Sequence, residues 1–535
     1  MTPDRPGRPV GGQSPGEDPV SLQARWLGRV RFADADALQR ALFLRATDPY
    51  LLLLEHHPVY TLGLRGRLDH VRVPVAELGA EVVATDRGGD VTWHGPGQLV
   101  GYPILSVPES PRAYVAAVEA LVIDACADLG LAGLGRMADA PGVWVDPAGP
   151  DPRKICAVGV RRSRGRTMHG FALNVDPDLS WFDRIVPCGI ADRAVTSLAA
   201  EGVRAAMADV VDAVVARAAD LWAGGRVRRA DVAWERDAAD GLPVAARKPE
   251  WLRVKADLGP GYREVRRTMR SLQLVTVCEE AGCPNIFECW RDGTATFMIN
   301  GDRCTRACGF CQVDTRKPSG PPDPAEPERL AEAVATMGLA HAVVTAVARD
   351  DLLDGGASGF AGAIRAVRHR NPGTAVEVLV PDCKGDPASL ATIFDARPDV
   401  LNHNLETVAR LQRTVRPSTS YARSLAVLAR AAAAGLVTKS GLMVGLGESE
   451  AEVVAAMADL HAVGVSILTL GQYLRPSADH LPVARWWTPD EFDRLAEAGR
   501  SLGFAHVEAS PMTRSSYHAR HAADAAADAA AVSHA

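Results

Sequence analysis

The chain has 535 residues, 47% of them hydrophobic and 23% charged, with a formal net charge of −6. That length holds more than one domain. The mild charge gives no sign of bulk nucleic-acid binding, and no apolar run is long enough to span a bilayer.

Residues 1–20 are polar and rich in Pro and Gly, so they read as a disordered leader and not a signal peptide. Reduced cysteines then point to the cytoplasm. A first unit is expected over 21–236. Strand-like runs fall at 50–55, 98–104, 154–160 and 168–175, and helical patterns at 113–129 and 203–222. Clustered strands with few helices predict an α+β domain. Two stretches in it carry chemistry. Arg87-Gly88-Gly89-Asp90-Val91-Thr92-Trp93-His94 combines glycines, which let backbone approach a ligand, with side-chain donors. Cys188 sits between Pro187 and Gly189, in a turn that can expose a thiol. Lys154 upstream can lower its pKa or take its proton. A lone cysteine is more often a small buried hydrophobe, the reading given to Cys126 and Cys156. Cys156, two residues from Lys154, is also a candidate decoy in thiol labelling.

Residues 237–247 have few large apolar side chains and read as a linker. The second unit, 248–520, alternates. Strands are expected at 294–299, 342–347, 375–380, 399–402, 438–444 and 466–470, with helices at 326–337, 360–368, 420–434 and 450–463. Repeated βα units predict a parallel sheet in an α/β partial TIM barrel, whose site lies at the carboxyl ends of the strands. Residues 521–535 form an Ala-rich tail, helical or frayed.

Six of the ten cysteines fall in one short segment of the second unit: Cys278, Cys283 and Cys289 as C-x4-C-x5-C, and Cys304, Cys308 and Cys311 as C-x3-C-x2-C. Close thiolates suit a soft metal centre. Structural zinc prefers paired C-x2-C clips and four ligands, and disulfide frameworks belong to small secreted chains. Ferredoxin-like carriers close their clusters with four cysteines. Three thiolates leave one iron of a cubic cluster open.

The second triplet resembles the signature of radical S-adenosylmethionine (SAM) enzymes, and the two trios together resemble lipoyl synthases. The likeness extends through Glu288-Cys289-Trp290, residues 293–298, Asn402-His403-Asn404 and Arg514-Ser515-Ser516-Tyr517. It implies a [4Fe–4S] cluster on Cys304, Cys308 and Cys311 whose open iron binds SAM. It implies a second [4Fe–4S] cluster on Cys278, Cys283 and Cys289, with Ser516 as fourth ligand and the cluster as sulfur source. The glycine run 441–447 resembles a SAM contact, giving Gly445 and Gly447 as candidates. Asn404 and Glu406 either bond SAM or cap the following helix.

The first unit is similar to lipoyl(octanoyl) transferases, of the biotin/lipoate ligase fold. The resemblance rests on residues 55–63, the Arg87 loop, Pro141-Gly142-Val143-Trp144, residues 154–159, residues 169–174 and the Cys188 turn. His57 stands where that family often has proline, and Trp93 where it often has tyrosine. The resemblance implies that Cys188 takes octanoyl from acyl carrier protein as a thioester, with Lys154 assisting. A lipoyl-domain lysine, in a 2-oxoacid dehydrogenase complex or the glycine cleavage H protein, then accepts it. The Arg87 loop, Ala157, Val158, Gly159, Gly170, Phe171 and Ala172 would line the acyl tunnel. Sulfur insertion at C6 and C8 would follow, with ferredoxin or flavodoxin as electron donor. Neither nucleic acid nor membrane is expected as a partner. Two alternatives stand beside this reading: a lipoate/biotin ligase-like unit fused to another radical SAM sulfur inserter, and a non-catalytic iron–sulfur scaffold.

Overall fold

The computed structural model describes residues 21–107, 110–138, 140–186, 193–236, 241–242, 247–253, 259–280, 283, 285–287 and 296–533. The leader 1–20, most of the linker, Cys188 and Cys289 lie outside the described residues.

The first unit is built from β1 (Leu22–Val30), α1 (Phe32–Arg45), β2 (Tyr50–His56), β3 (Val59–Leu62), β4 (Glu81–Ala84), β5 (Val91–His94), β6 (Gln98–Ile104), α2 (Pro111–Asp128), β7 (Leu134–Gly135), β8 (Val143–Val145), β9 (Arg153–Ser163), β10 (Arg166–Asn174), β11 (Ala194–Val195), α3 (Met207–Ala223) and β12 (Val227–Arg229). Among the described residues one mixed sheet runs β12-β1-β2-β6-β10-β9-β8-β7, with β11 beside β9, and β4-β3-β5 make a smaller one. The run Tyr50-Leu51-Leu52-Leu53-Leu54 is apolar at every position because β2 is covered on both faces. Leu51 and Leu53 pack with α2 and α3, whereas Leu52 and Leu54 pack with α1.

The second unit holds β13 (Val275–Thr276), β14 (Thr296–Ile299), β15 (His341–Ala346), β16 (Ala375–Leu379), β17 (Val400–Asn402), β18 (Val437–Val444), β19 (Ile467–Gln472) and β20 (His506–Ala509). From β14 to β20 each strand pairs in parallel with the next, and β13 adds antiparallel to β14. Among the described residues β20 has no partner in β13 or β14, so the barrel is open. Helices Glu326–Met337, Ala357–Arg370, Pro387–Asp395, Tyr421–Ala433, Glu450–Ala462 and Pro489–Leu502 lie between successive strands. The Ala-rich tail forms helix Ala519–Ser533. Its Ala522 and Ala526 pack on Val400 and Ile467, the first residues of β17 and β19, so it covers the end of the barrel away from the site.

Sequence patterning finds the six expected barrel strands but not β1, α1, β13 or β20. The first two explain how the halves meet. One hydrophobic cluster runs through both units, joining Leu38, Leu42 and Leu52 to Leu425, Leu428, Met457 and Leu460. At its centre Arg25 Nε donates to Asp459 at 2.9 and 3.0 Å, with side chains 1% and 4% exposed. The hydroxyls of Tyr421 and Tyr50 donate to the same carboxylate at 2.9 and 3.3 Å, and the remaining Arg25 nitrogens reach Ala24 O, Arg228 O and Gln23 Oε1. Burial alone lowers an arginine pKa, but Asp459 more than offsets this and holds Arg25 charged. A buried pair roughly breaks even against its desolvation. Each buried leucine contributes about 1.5–3 kcal/mol, so apolar area holds the interface and the pair fixes its register.

Removing one partner strands the other charge. Asp459→Ala is therefore expected to cost about 3–5 kcal/mol, and Arg25→Met with Asp459→Leu much less. Denaturant unfolding checks this: the wild type should lose both halves in one transition, and Asp459→Ala should lower its midpoint.

Candidate active sites

The parallel register brings the carboxyl ends of β14 to β20 to one rim, around a cavity of about 570 Å³. Cys304, Cys308 and Cys311 line it, as do Cys278, Cys283 and Ser516. A smaller recess brings Cys278, Cys283 and Ser516 together with Arg514. The Cys304–Cys311 loop is tied down by its backbone: Cys304 N–H donates to Asp314 O (2.8 Å), Thr305 N–H to Ala348 O (2.9 Å) and Gly309 N–H to Val415 O (3.0 Å). Arg306, which sequence reasoning passed over, forks onto Asp350 at 2.7 Å through two nitrogens. Its place between two of the cysteines was the available signal.

The donor chemistry fits an iron–sulfur group. Cys304, Cys308 and Cys311 carry no disulfide. Burial pushes the Cys311 thiol up to about 12 and raises Cys308 and Cys283 as well. As bare thiols they keep their protons at neutral pH, and a thiophilic metal is what displaces them. Among the described residues no three His, Cys, Asp or Glu side chains close on a single-ion point.

Asn404 and Glu406 line the same cavity. Asn404 Nδ2 donates to Glu406 Oε1 (3.1 Å) and Ser515 Oγ (2.6 Å), while its buried Oδ1 has no hydrogen-bond partner among the described residues. Burial raises the Glu406 pKa against the pull of Arg416. Neither residue caps the next helix, Gln412–Val415, which starts from Leu411. Glu406 instead pairs with Leu442 at φ +70°. Of the glycine run, Gly441 lines the cavity, where a Cβ would lie 2.7 Å from Thr469 Oγ1 and 2.9 Å from Asn404 Oδ1. Gly445 and Gly447 are not among the lining residues. The Gly445 and Leu446 amides donate to Glu448, which also accepts from Trp487 Nε1.

In the first unit a slot of about 50 Å³ is lined by Arg87, Gly88, Gly89, Thr92, His94, Ala157, Val158, Gly159, Gly170, Phe171 and Ala172, with Phe32 and Tyr102 added. Asp90, Val91 and Trp93, expected there, do not line it. Strand alternation separates them: Thr92 and His94 face the slot, while Val91 and Trp93 pack with Phe182 on the other side. Asp90 instead meets His70 Nδ1 at 2.5 Å. Arg87 donates to Thr61 O and Asp90 O, both at 2.7 Å, so its guanidinium shapes the loop. Lys154 is buried on β9, its Nζ 4.7 Å from the Trp144 ring centre. Cys188 lies outside the described residues. Its described flanks are Val186, whose N–H donates to His70 O, and β11, whose Val195 pairs with Lys154. Cys156 is fully buried and its thiol is held protonated by desolvation, so it is no labelling decoy in the native protein.

Fold and site define a two-part chain. A lipoyl protein ligase A/B catalytic domain matches residues 30–219 and a radical SAM domain matches residues 298–460, so the second half is a radical SAM domain. The N-terminal domain of lipoyl synthase matches residues 229–283. The lipoyl synthase of Rubrobacter xylanophilus is 58% identical over 274 residues, covering 51% of this chain and 85% of that protein. That of Mycobacterium tuberculosis is 55% identical over 273 residues, covering 51% and 88%. Through its second half the chain belongs to the lipoyl synthase family, which implies a [4Fe–4S] cluster and SAM. Among solved structures, a bi-partite lipoate protein ligase from Thermoplasma acidophilum covers 40% of this chain and 88% of its own at 15% identity, TM-score 0.35. Methylornithine synthase covers 47% and 79% at 11%, TM-score 0.32.

His56 in the first unit and His403 beside the barrel cavity are both pushed down to about 4, by burial first. The unfolded chain takes up a proton near 6.5, before the native state does. Stability is therefore full above pH 6.5 and falls as pH drops towards 4, by about 3 kcal/mol for each histidine. Denaturant midpoints between pH 7 and 4 should show this fall, and the double variant His56→Gln, His403→Gln should lessen it, the remainder coming from groups such as His94, which burial also pushes down.

Proposed function

We propose that this chain transfers an octanoyl chain from acyl carrier protein to a lysine of a lipoyl domain, and then inserts sulfur at C6 and C8 of that chain. The first step belongs to residues 21–236 and the second to residues 248–520, joined by 237–247. The observation that carries the reading is the single cavity lined by donors of both cysteine trios, by Ser516 and by the Asn404–Glu406 wall.

In the first unit Cys188 is the nucleophile. Lys154 assists removal of the thiol proton, and the thiolate then attacks the acyl carbonyl. Carrier thiol leaves, and the lysine amine of the lipoyl domain attacks the thioester in turn. The slot between the Arg87 loop and residues 157–159 and 170–172 receives the hydrocarbon chain. Its glycines at 88, 159 and 170 leave room against the walls.

In the second unit Cys304, Cys308 and Cys311 hold the cluster. When bound, it supplies the electron that splits SAM into methionine and a 5′-deoxyadenosyl radical, strong enough to take hydrogen from an unactivated carbon. Asn404, through an Oδ1 that has no partner among the described residues, and Glu406 accept hydrogen bonds from SAM, and Gly441 keeps the wall beside them thin. A second cluster, on Cys278, Cys283, Cys289 and Ser516, is a substrate whose sulfide goes to product. A hard serine oxygen is a poor match for iron, which suits a cluster meant to be dismantled. Lipoyl domains of 2-oxoacid dehydrogenase complexes and the glycine cleavage H protein are the acceptors, ferredoxin or flavodoxin the electron source, and the cytoplasm the compartment. Among the described residues no helix is long and apolar enough to cross a membrane.

The family model of the first unit is described for ligases A and B together, so an ATP-dependent ligase is the second reading. Intact mass of an apo lipoyl domain separates them. The reconstituted, anaerobic protein with octanoyl-acyl carrier protein should add octanoyl without ATP, and SAM with reductant should then convert it to lipoyl. Cys188→Ala should abolish the first change and leave conversion of a pre-octanoylated domain intact. Octanoyl addition only from free octanoate with ATP, undisturbed in Cys188→Ala, would establish the ligase.

A further inference from the structure

We propose that Asp34, on α1 of the first unit, is a positioning residue for the Cys304–Cys311 loop of the second. It acts through Arg423, Asp382 and Arg306.

Arg306 sits between Cys304 and Cys308 with its side chain 8% exposed. Besides Asp350 it donates to Asp382 Oδ1 at 2.6 Å. Asp382 has no exposed side-chain surface, and its Oδ2 accepts from Thr419 Oγ1 at 2.9 Å and lies 3.8 Å from Arg423 Nη1. The same Arg423 places Nε 3.4 Å from Asp34 Oδ2. Arg430 donates to Asp34 Oδ1 at 3.0 Å and to Ala33 O at 2.7 Å. Two buried carboxylates, one from each unit, are thus bridged by one guanidinium, and the inner carboxylate grips the arginine inside the cysteine loop. Charges in such surroundings are bound to their partners, because an unpartnered one is costly.

A second observation points the same way. Cys383, Lys384 and Gly385, directly after Asp382, take φ of +45°, +56° and +69°. Two successive non-glycine residues in the left-handed region persist only where surroundings over-determine them. Part of that restraint comes from the first unit, since Arg31 donates to Lys384 O at 2.9 Å and to Gly385 O at 2.8 Å. The extended residue just before α1 therefore clamps the segment that presents Asp382. In this fusion the first unit is part of the support of the second unit's cysteine loop.

The inference rests on the radical SAM reading only for what the loop binds. Two measurements on the full chain test it. In the apo protein, Asp34→Asn should speed hydrogen exchange of amides in 304–311 and leave helix Pro489–Leu502 unchanged. In the reconstituted protein, Asp34→Asn should weaken SAM binding about 2- to 30-fold and alter the SAM-dependent change in the electron paramagnetic resonance of the reduced cluster. Arg423→Lys should act likewise, and the double variant should add little to either single one. Wild-type exchange and wild-type SAM affinity in Asp34→Asn overturn the proposal. So does faster exchange spread evenly through both units, which marks a merely structural role. If the wild type itself binds no SAM, the function proposed above fails while the exchange arm still decides this inference.

Discussion

Seven parallel strands in sequence order leave the chain no choice about where its loops go: each strand's carboxyl end must open on the same rim. The cysteine loop after β14, the Asn404–Glu406 turn after β17 and Ser516 beyond β20 come from segments far apart in sequence, yet all reach one cavity. Register brings them to that rim, and the hydrogen bond from Asn404 to Ser515 then ties the turn after β17 to the segment beyond β20. What the side chains add is chemistry. Thiols of both trios line one cavity, together with Asn404, whose side-chain oxygen has no hydrogen-bond partner among the described residues.

The barrel half was open to reading because its strands are buried on both faces and its helices are amphipathic, so the two periods separate cleanly. Helix Glu326–Met337 matches its expected bounds, and strands at 375 and 438 begin within one residue of theirs. In the first unit β6 was equally legible. β1 was not. Its sequence Leu-Gln-Ala-Arg-Trp-Leu-Gly-Arg-Val places an arginine at a buried position, and nothing near it in sequence can neutralise that charge. The counter-charge is Asp459, 434 residues away, and no local pattern carries such a partner. The short edge strands β13 and β20 lack the length to show a period.

Site residues divide along the same line. The cysteines were legible because their spacing is local, and Gly441 lay within a recognisable run. Resemblance took residues 87–94 as one stretch, whereas strand alternation sends Thr92 and His94 to the slot and Trp93 into an aromatic cluster with Trp181 and Phe182. Asp34 and Asp382 carry no motif at all. Their meaning depends on Arg423 standing between them, which only the packing of one unit on the other provides.

The separation of Arg25 from Asp459 also sets a clock. A ribosome adds about 5–20 residues per second. Arg25 thus emerges roughly 20–90 s before Asp459 exists to neutralise it, given the 434 positions between them. For that interval the nascent first unit carries a sheet whose α1 covering has no outer neighbour and a strand arginine with no counter-ion. The two units can therefore dock only after the second has been synthesised. Helix α1 acquires its outer neighbours, among them Leu425, Leu428, Met457 and Leu460, only when the barrel helices of the second unit have been made.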